Sequence, residues 1–209
     1  MKYLLSLLAL IIALPAHAHP VSYKGGTMVM LGAETDRYDA QANFTFSRHF
    51  AVGTSYMQIH TGGAYANFAF PQLNWLVKRW NNPDSQANVY FYGGLGFRNY
   101  KDTNKVAGFV GAEADYETRR FYTSIQQMSL LSDGINAYRT YVKVGGAPYL
   151  ADYKQVATWL IFKTEYASYM KPEQKLSFIP GLRLFYKGWF VEGGYGVYGV
   201  WYANLMAVF

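Results

Sequence analysis

The stretch DAQANFTFS, residues 39–47, puts Asp39, Gln41, Asn43, Thr45 and Ser47 on one side of the chain and Ala40, Ala42, Phe44 and Phe46 on the other. A period of two residues is the signature of a strand. The pattern recurs. In NVYFYGGLGFRNY, Val89, Phe91, Leu95 and Phe97 oppose Asn88, Tyr90, Tyr92 and Arg98. In KVAGFVGAEADYE, the acids Glu113, Asp115 and Glu117 oppose Val110, Ala112, Ala114 and Tyr116. AYRTYVKVGG sets Arg139, Tyr141 and Lys143 against Tyr138, Thr140, Val142 and Val144. KLSFIPGLRLFYK sets Lys175, Ser177 and Arg183 against Leu176, Phe178, Leu182, Leu184 and Tyr186.

Short turn signals separate these runs, among them HTGG, NNPDSQ, KDTNK, ETRR, SDGIN and MKPEQ. The spacing predicts about twelve strands, starting near residues 25, 37, 50, 64, 86, 105, 120, 136, 155, 174, 189 and 200, with ten as the alternative count. Past the N-terminus no apolar run reaches the roughly 20 residues of a spanning helix. The alternating faces decide between two all-β classes. A soluble sandwich or lipocalin-like barrel turns Lys and Glu to water on its outside. Here one face of nearly every strand is apolar or aromatic, and charged residues are 15% of the chain against about 25% in soluble domains. The expectation is a transmembrane antiparallel up-and-down β-barrel, apolar outside and polar inside. Tyr38, Tyr65, Trp80, Tyr100, Tyr138, Tyr186, Trp189 and Trp201 fall near strand ends, where aromatic girdles sit.

The chain ends WYANLMAVF, with Trp201, Ala203, Leu205 and Ala207 on one face and Phe209 last. This resembles the terminal strand of Gram-negative outer-membrane β-barrel proteins. The resemblance implies that Trp201, Leu205 and Phe209 form the signal read by the barrel-assembly machinery, that the address is the outer membrane and that both termini lie in the periplasm. The outer connections, near residues 34, 61, 101, 133, 170 and 198, are then all short. That argues against a large receptor or adhesin, whose contacts sit on long surface loops.

The other end of the chain reads as an export signal. MKYLLSLLALIIALPAHA runs from Lys2 through an apolar block to small residues at Ala16 and Ala18. Residues 1–18 are expected to be removed, leaving a barrel domain of residues 19–209 that begins His19-Pro20. The chain has no cysteine, so neither disulfides nor a lipoprotein anchor contributes. Its formal charge of +6 is spread too evenly for a nucleic-acid partner, and no feature predicts an oligomer, so a monomer is expected.

The strand registers place Asp39, Lys78, Arg98, Glu113, Asp115, Glu117, Arg120, Arg139, Lys143, Lys163, Glu165, Arg183 and Glu192 in the lumen. A charge facing mid-membrane lipid costs about 2–4 kcal/mol for Arg or Lys. One reading makes these residues the opposing walls of a narrow water-filled channel for passive diffusion of small polar or charged solutes. The other pairs them into a salt-bridge ladder that fills a non-conducting structural barrel. The inward glycines Gly94, Gly96, Gly111, Gly145, Gly181, Gly194 and Gly196 leave space and favour the channel. No cofactor is called for, and no catalytic residue is assigned. A lipid-active enzyme would need a base such as His60 at the outer rim. Copper is the one metal alternative: a mature N-terminal His19 offers its amine and ring Nδ1, with His49, predicted on the same periplasmic side, as second imidazole.

Overall fold

The structure is a computed structural model and describes residues 20–152 and 154–209. Residues 1–19, which include the expected export signal and His19, lie outside the described residues. Twelve antiparallel strands follow one another: β1 (Thr27–Glu34), β2 (Arg37–Thr45), β3 (Phe50–Thr61), β4 (Ala64–Asn82), β5 (Ser85–Tyr100), β6 (Thr103–Thr118), β7 (Phe121–Ser132), β8 (Ile135–Gly146), β9 (Ala157–Ala167), β10 (Leu176–Tyr186), β11 (Trp189–Tyr195) and β12 (Trp201–Val208). Each pairs with its neighbour in sequence, and β12 returns to β1 to close the barrel.

Closure satisfies every strand's backbone groups within the sheet, the condition for a sheet to lie in hydrocarbon. The seam is carried by the chain's end. Ala203, Leu205 and Ala207 of β12 pair with Ala33, Leu31 and Val29 of β1. Thr27 and Phe209 then exchange backbone hydrogen bonds of 2.9 Å in both directions.

The outside of the wall is apolar. Leu31, Val52, Leu73, Phe91, Leu95, Val110, Ile125, Val142, Leu160, Phe178, Leu184 and Val191 are all exposed there. Tyr38, Tyr65 and Tyr138 mark the outer end of this belt and Trp80, Tyr186 and Trp189 the inner end, where β1 begins and β12 ends. Tyr100 departs from the expected girdle: its hydroxyl donates to Thr61 O at 3.2 Å and its ring packs on buried residues of the lumen.

The twist of the wall has one irregularity. Between Leu76 and Lys78 of β4 the register against β5 shifts by a bulge. An extra residue reverses which side chains face inward beyond it. Lys78 therefore stands exposed with its ammonium 5.8 Å from the Trp80 ring, and Arg79 turns in. This corrects the expected lumen position of Lys78. Arg120 also leaves the expected set, because it lies exposed in the turn between β6 and β7.

The inner end of the lumen receives the chain's own N-terminal segment. Val21 is fully buried against Ala51, Leu76 and Tyr90. Ser22 N donates to Thr45 Oγ1 at 3.1 Å, and Gly25 N donates to Thr45 O at 2.7 Å. Arg79 holds this segment from the opposite side, its Nη2 donating to Val21 O at 3.3 Å and to Tyr90 Oη at 3.0 Å.

Candidate functional site

The lumen has two unlike walls. On β8 to β11 and the outer ends of β1 and β2, ionised side chains meet in pairs. Glu34 Oε1 accepts from Lys163 Nζ at 3.1 Å and from Arg139 Nη2. Glu165 takes Arg139 Nε at 3.0 Å and Nη2 at 3.2 Å, and also pairs with Lys163. Glu192 accepts Lys143 Nζ at 2.5 Å on one oxygen and Arg183 Nε at 2.7 Å on the other. Arg37 Nε lies 3.2 Å from Asp39 Oδ1.

The strand register explains this arrangement. Lys143 and Lys163 stand directly opposite each other on β8 and β9. Like charges in that position repel. Each lysine leans to a different carboxylate, Lys163 to Glu34 and Glu165, and Lys143 to Glu192. Aromatic faces fill the gaps. Tyr141 lies 5.0, 4.9 and 5.5 Å from the charged ends of Arg139, Lys143 and Lys163, and the Arg183 guanidinium stacks 3.9 Å from the Tyr122 ring. Planar guanidinium on an aromatic face is a favourable contact for a partly desolvated cation.

The facing wall, from β3 to β8, is apolar toward the outer end. Met57, Ile59, Phe68, Phe70, Phe109, Met128 and Leu130 point inward and pack as one buried cluster. Phe70 and Phe109 meet with ring centroids 4.8 Å apart. A second cluster, Ala167, Met170, Ile179, Val200 and Tyr202, seals the other side of the outer end, with Tyr169 packed against both. Met170 and Tyr169 come from the connection between β9 and β10, which folds inward over the lumen. Burial raises the Tyr169 hydroxyl above its ordinary pKa, so it sits there as a neutral group. Gln174 Nε2 donates to Tyr198 O at 2.9 Å and ties this connection to the one before β12.

The glycine space expected in the lumen is occupied. A Cβ on Gly111 would stand 2.3 Å from the Tyr92 ring, and one on Gly94 would meet Pro71 O at 2.2 Å and Phe109 Cε1 at 2.9 Å. At Gly181 and Gly194 the neighbour is Tyr202. Gly94, Gly111, Gly181 and Gly194 thus admit the rings of Phe109, Tyr92 and Tyr202 to the lumen, while Gly96 and Gly196 lie against backbone carbonyls and Gly145 against Ile161.

Below these layers a cavity of about 420 Å³ remains. Its mouth is at the inner end, among Arg119, Tyr149, Leu150 and Trp159, and its floor is formed by Glu34, Arg37, Tyr92, Phe109 and Arg139. Met28, Met30, Met206, Phe185 and Phe190 line one side.

Of the residues expected in the lumen, Arg139, Lys143, Lys163, Glu165, Arg183 and Glu192 meet in the paired network. Glu34 and Arg37 complete it and were missed, since they flank a turn where alternation gives no direction. Arg98 is buried at the outer end, donating from Nη1 to Asp133 O at 2.5 Å. Across the barrel, Glu113 accepts from Gln126 at 3.0 Å, Asp115 accepts from Asn88 at 2.7 Å, and Glu117 lies by the cavity mouth. Trp201 and Leu205 face outward on β12, and Phe209 closes the seam. His49 lies in the turn after β2 at the inner end, with Nδ1 3.0 Å from Leu76 O and Nε2 accepting from Arg48 Nε at 3.0 Å. His19, its expected copper partner, lies outside the described residues. His60 sits at the outer rim with Nδ1 3.6 Å from Asp36.

A closed barrel with an apolar belt outside and its ionised groups inside is an outer-membrane β-barrel of porin-like build. No family model matches the chain, and no curated protein matches it. Among solved structures it is similar to KdgM porin, at 11% identity over 88% of this chain and 98% of that one, with a TM-score of 0.48. It is similar also to KdgM porin in complex with disordered oligogalacturonate, at 10% identity over the same shares with a TM-score of 0.49. OmpT (in-vitro folded), an outer membrane protein of Vibrio cholerae, matches at 9% identity over 94% of this chain and 99% of that chain, with a TM-score of 0.28. These are likenesses of barrel architecture.

Proposed function

We propose that this porin-like barrel is shut at its outer end and open to the periplasm, so that small molecules enter its lumen from the inner mouth and do not flow through at rest. One observation carries the reading. The cavity runs from the inner turns to Glu34, Arg37 and Tyr92, and beyond Glu34 and Arg37, which flank the short outer turn at residues 35–36, none of the residues lining it comes from an outer connection. Beyond its floor the wall residues are packed on one another, and packed interiors leave few voids as large as a water molecule.

A second reading keeps the barrel as a narrow, charge-lined channel for passive diffusion of small polar or charged solutes. The run of Arg183, Lys143, Arg139 and Arg37 along one wall favours it, because displacement of the outer cluster would expose a continuous ionised surface. Planar-bilayer recording of purified protein separates the two. Silence supports the shut barrel, and resolved ion steps from wild-type protein overturn it in favour of the channel.

On either reading the protein is not an enzyme and works as a monomer, with lipid outside, a small-molecule solute inside and the assembly machinery addressing its last strand. Of the described imidazoles, His49 is held at the inner end by Leu76 O and Arg48, and His60 sits at the outer rim beside Asp36 and the Tyr65 ring. Lipid hydrolysis that His60→Ala abolishes would contradict this.

A further inference from the structure

The cavity differs from a water-filled vestibule in what lines it. Met28, Met30 and Met206 meet on the seam side: Met30 and Met206 are direct cross-strand partners, and Met28 lies on the same inward face of β1. With Phe185 and Phe190 they give the cavity a flexible apolar flank that extends toward the mouth. Thioether side chains adapt to irregular apolar shapes better than branched ones do. Such a flank holds an alkyl chain well and a hydrated ion poorly.

The floor has the opposite character. Arg37 lines it and is almost wholly buried, and while its Nε faces Asp39 Oδ1 at 3.2 Å, its Nη1 has no hydrogen-bond partner. Tyr92 lines it too, and its hydroxyl is buried without a partner. Buried donors in native structures are nearly always satisfied, and exceptions ask for a missing partner. An anionic oxygen placed at the floor would accept from both after small side-chain rotations. A volume of about 420 Å³ lies within the range of small-molecule sites, about 300–1,000 Å³.

We propose that the lumen is a binding site for a single-chain anionic amphiphile of the fatty-acid class, with its carboxylate on Arg37 and Tyr92 and its chain along the methionine flank. This rests on the shut, periplasm-facing lumen proposed above. Entry is from the inner mouth, past Trp159.

Trp159 supplies the readout. Full-length mature protein in lipid nanodiscs is titrated with 11-bromoundecanoate, whose bromine quenches nearby indoles, and the Trp159→Phe variant isolates that signal from the lipid-facing tryptophans. The expected result is saturable quenching of the Trp159 component, at least tenfold weaker for 11-bromoundecanol. Arg37→Gln weakens the carboxylate and leaves the alcohol unchanged, and Arg37→Lys restores part of the difference. Met30→Phe, which narrows the methionine flank without altering charge or adding an indole, weakens acid and alcohol alike at least tenfold, and it carries the test if Arg37→Gln does not fold. Linear quenching equal for acid and alcohol, or saturation that Met30→Phe leaves intact, overturns the proposal. Ion steps in a bilayer would overturn the shut lumen itself, whereas linear quenching in a silent barrel overturns only the ligand assignment.

Discussion

Glu192 holds two buried cations, Lys143 at 2.5 Å and Arg183 at 2.6 Å. Removing one partner of a buried pair costs more than the pair's net worth, because the remaining charge is left desolvated and uncompensated. Glu192→Gln is therefore expected to destabilise the barrel by about 3–5 kcal/mol, measured by urea unfolding in detergent micelles. A loss below about 1 kcal/mol would mean that the lumen is wet enough to solvate both cations. Gly111 gives a second residue-scale test. Its missing Cβ makes room for the Tyr92 ring, so Gly111→Ala is expected to cost about 1–3 kcal/mol as an overpacked site. In a Tyr92→Ala background that penalty should nearly vanish, since the two changes share one contact. Additive penalties would contradict the packing described.

At the scale of elements, the alternation of polarity placed the twelve strands closely. The expected starts at 37, 50, 64 and 189 coincide with Arg37, Phe50, Ala64 and Trp189. What alternation cannot carry is an inserted residue. The β4 bulge leaves no mark in the sequence NWLVKRW, where both faces are mixed, so alternation points Lys78 inward and gives no signal for Arg79. The two residues give opposite predictions. Lys78→Leu should change stability by no more than about 0.5 kcal/mol, as an exposed substitution with no buried partner. Arg79→Ala should free residues 20–22 from Val21 O and the Tyr90 hydroxyl, raising amide hydrogen exchange at Ser22 and Gly25 with little effect on the outer strands. Equal exchange in the two variants would contradict the clamp. The filled outer half was illegible for a different reason. Around NFAFPQL, Phe68 and Phe70 face the lumen while Ala69 and Pro71 face out. Where both sides of a strand are apolar, periodicity names the strand without naming its contents.

For the whole molecule, barrel closure follows from the strand count and the seam between β1 and β12, and location follows from an apolar belt that only lipid can cover. Twelve strands could enclose an open passage, and strand number alone leaves that undecided. The side chains bear on it. The cations expected on one wall and the acids expected on the other do not simply face each other across water. Arg139 and Arg183 pair with carboxylates on neighbouring strands, Lys143 and Lys163 reach Glu192 and Glu34 on strands further round the wall, and aromatic and methionine side chains occupy the outer half. On the proposed reading the lumen is a cup that faces the periplasm. The direct test is planar-bilayer conductance of the purified protein across both polarities of applied voltage. The account predicts no ion steps from wild-type protein. Resolved, reproducible single-channel steps from wild-type barrels would contradict it.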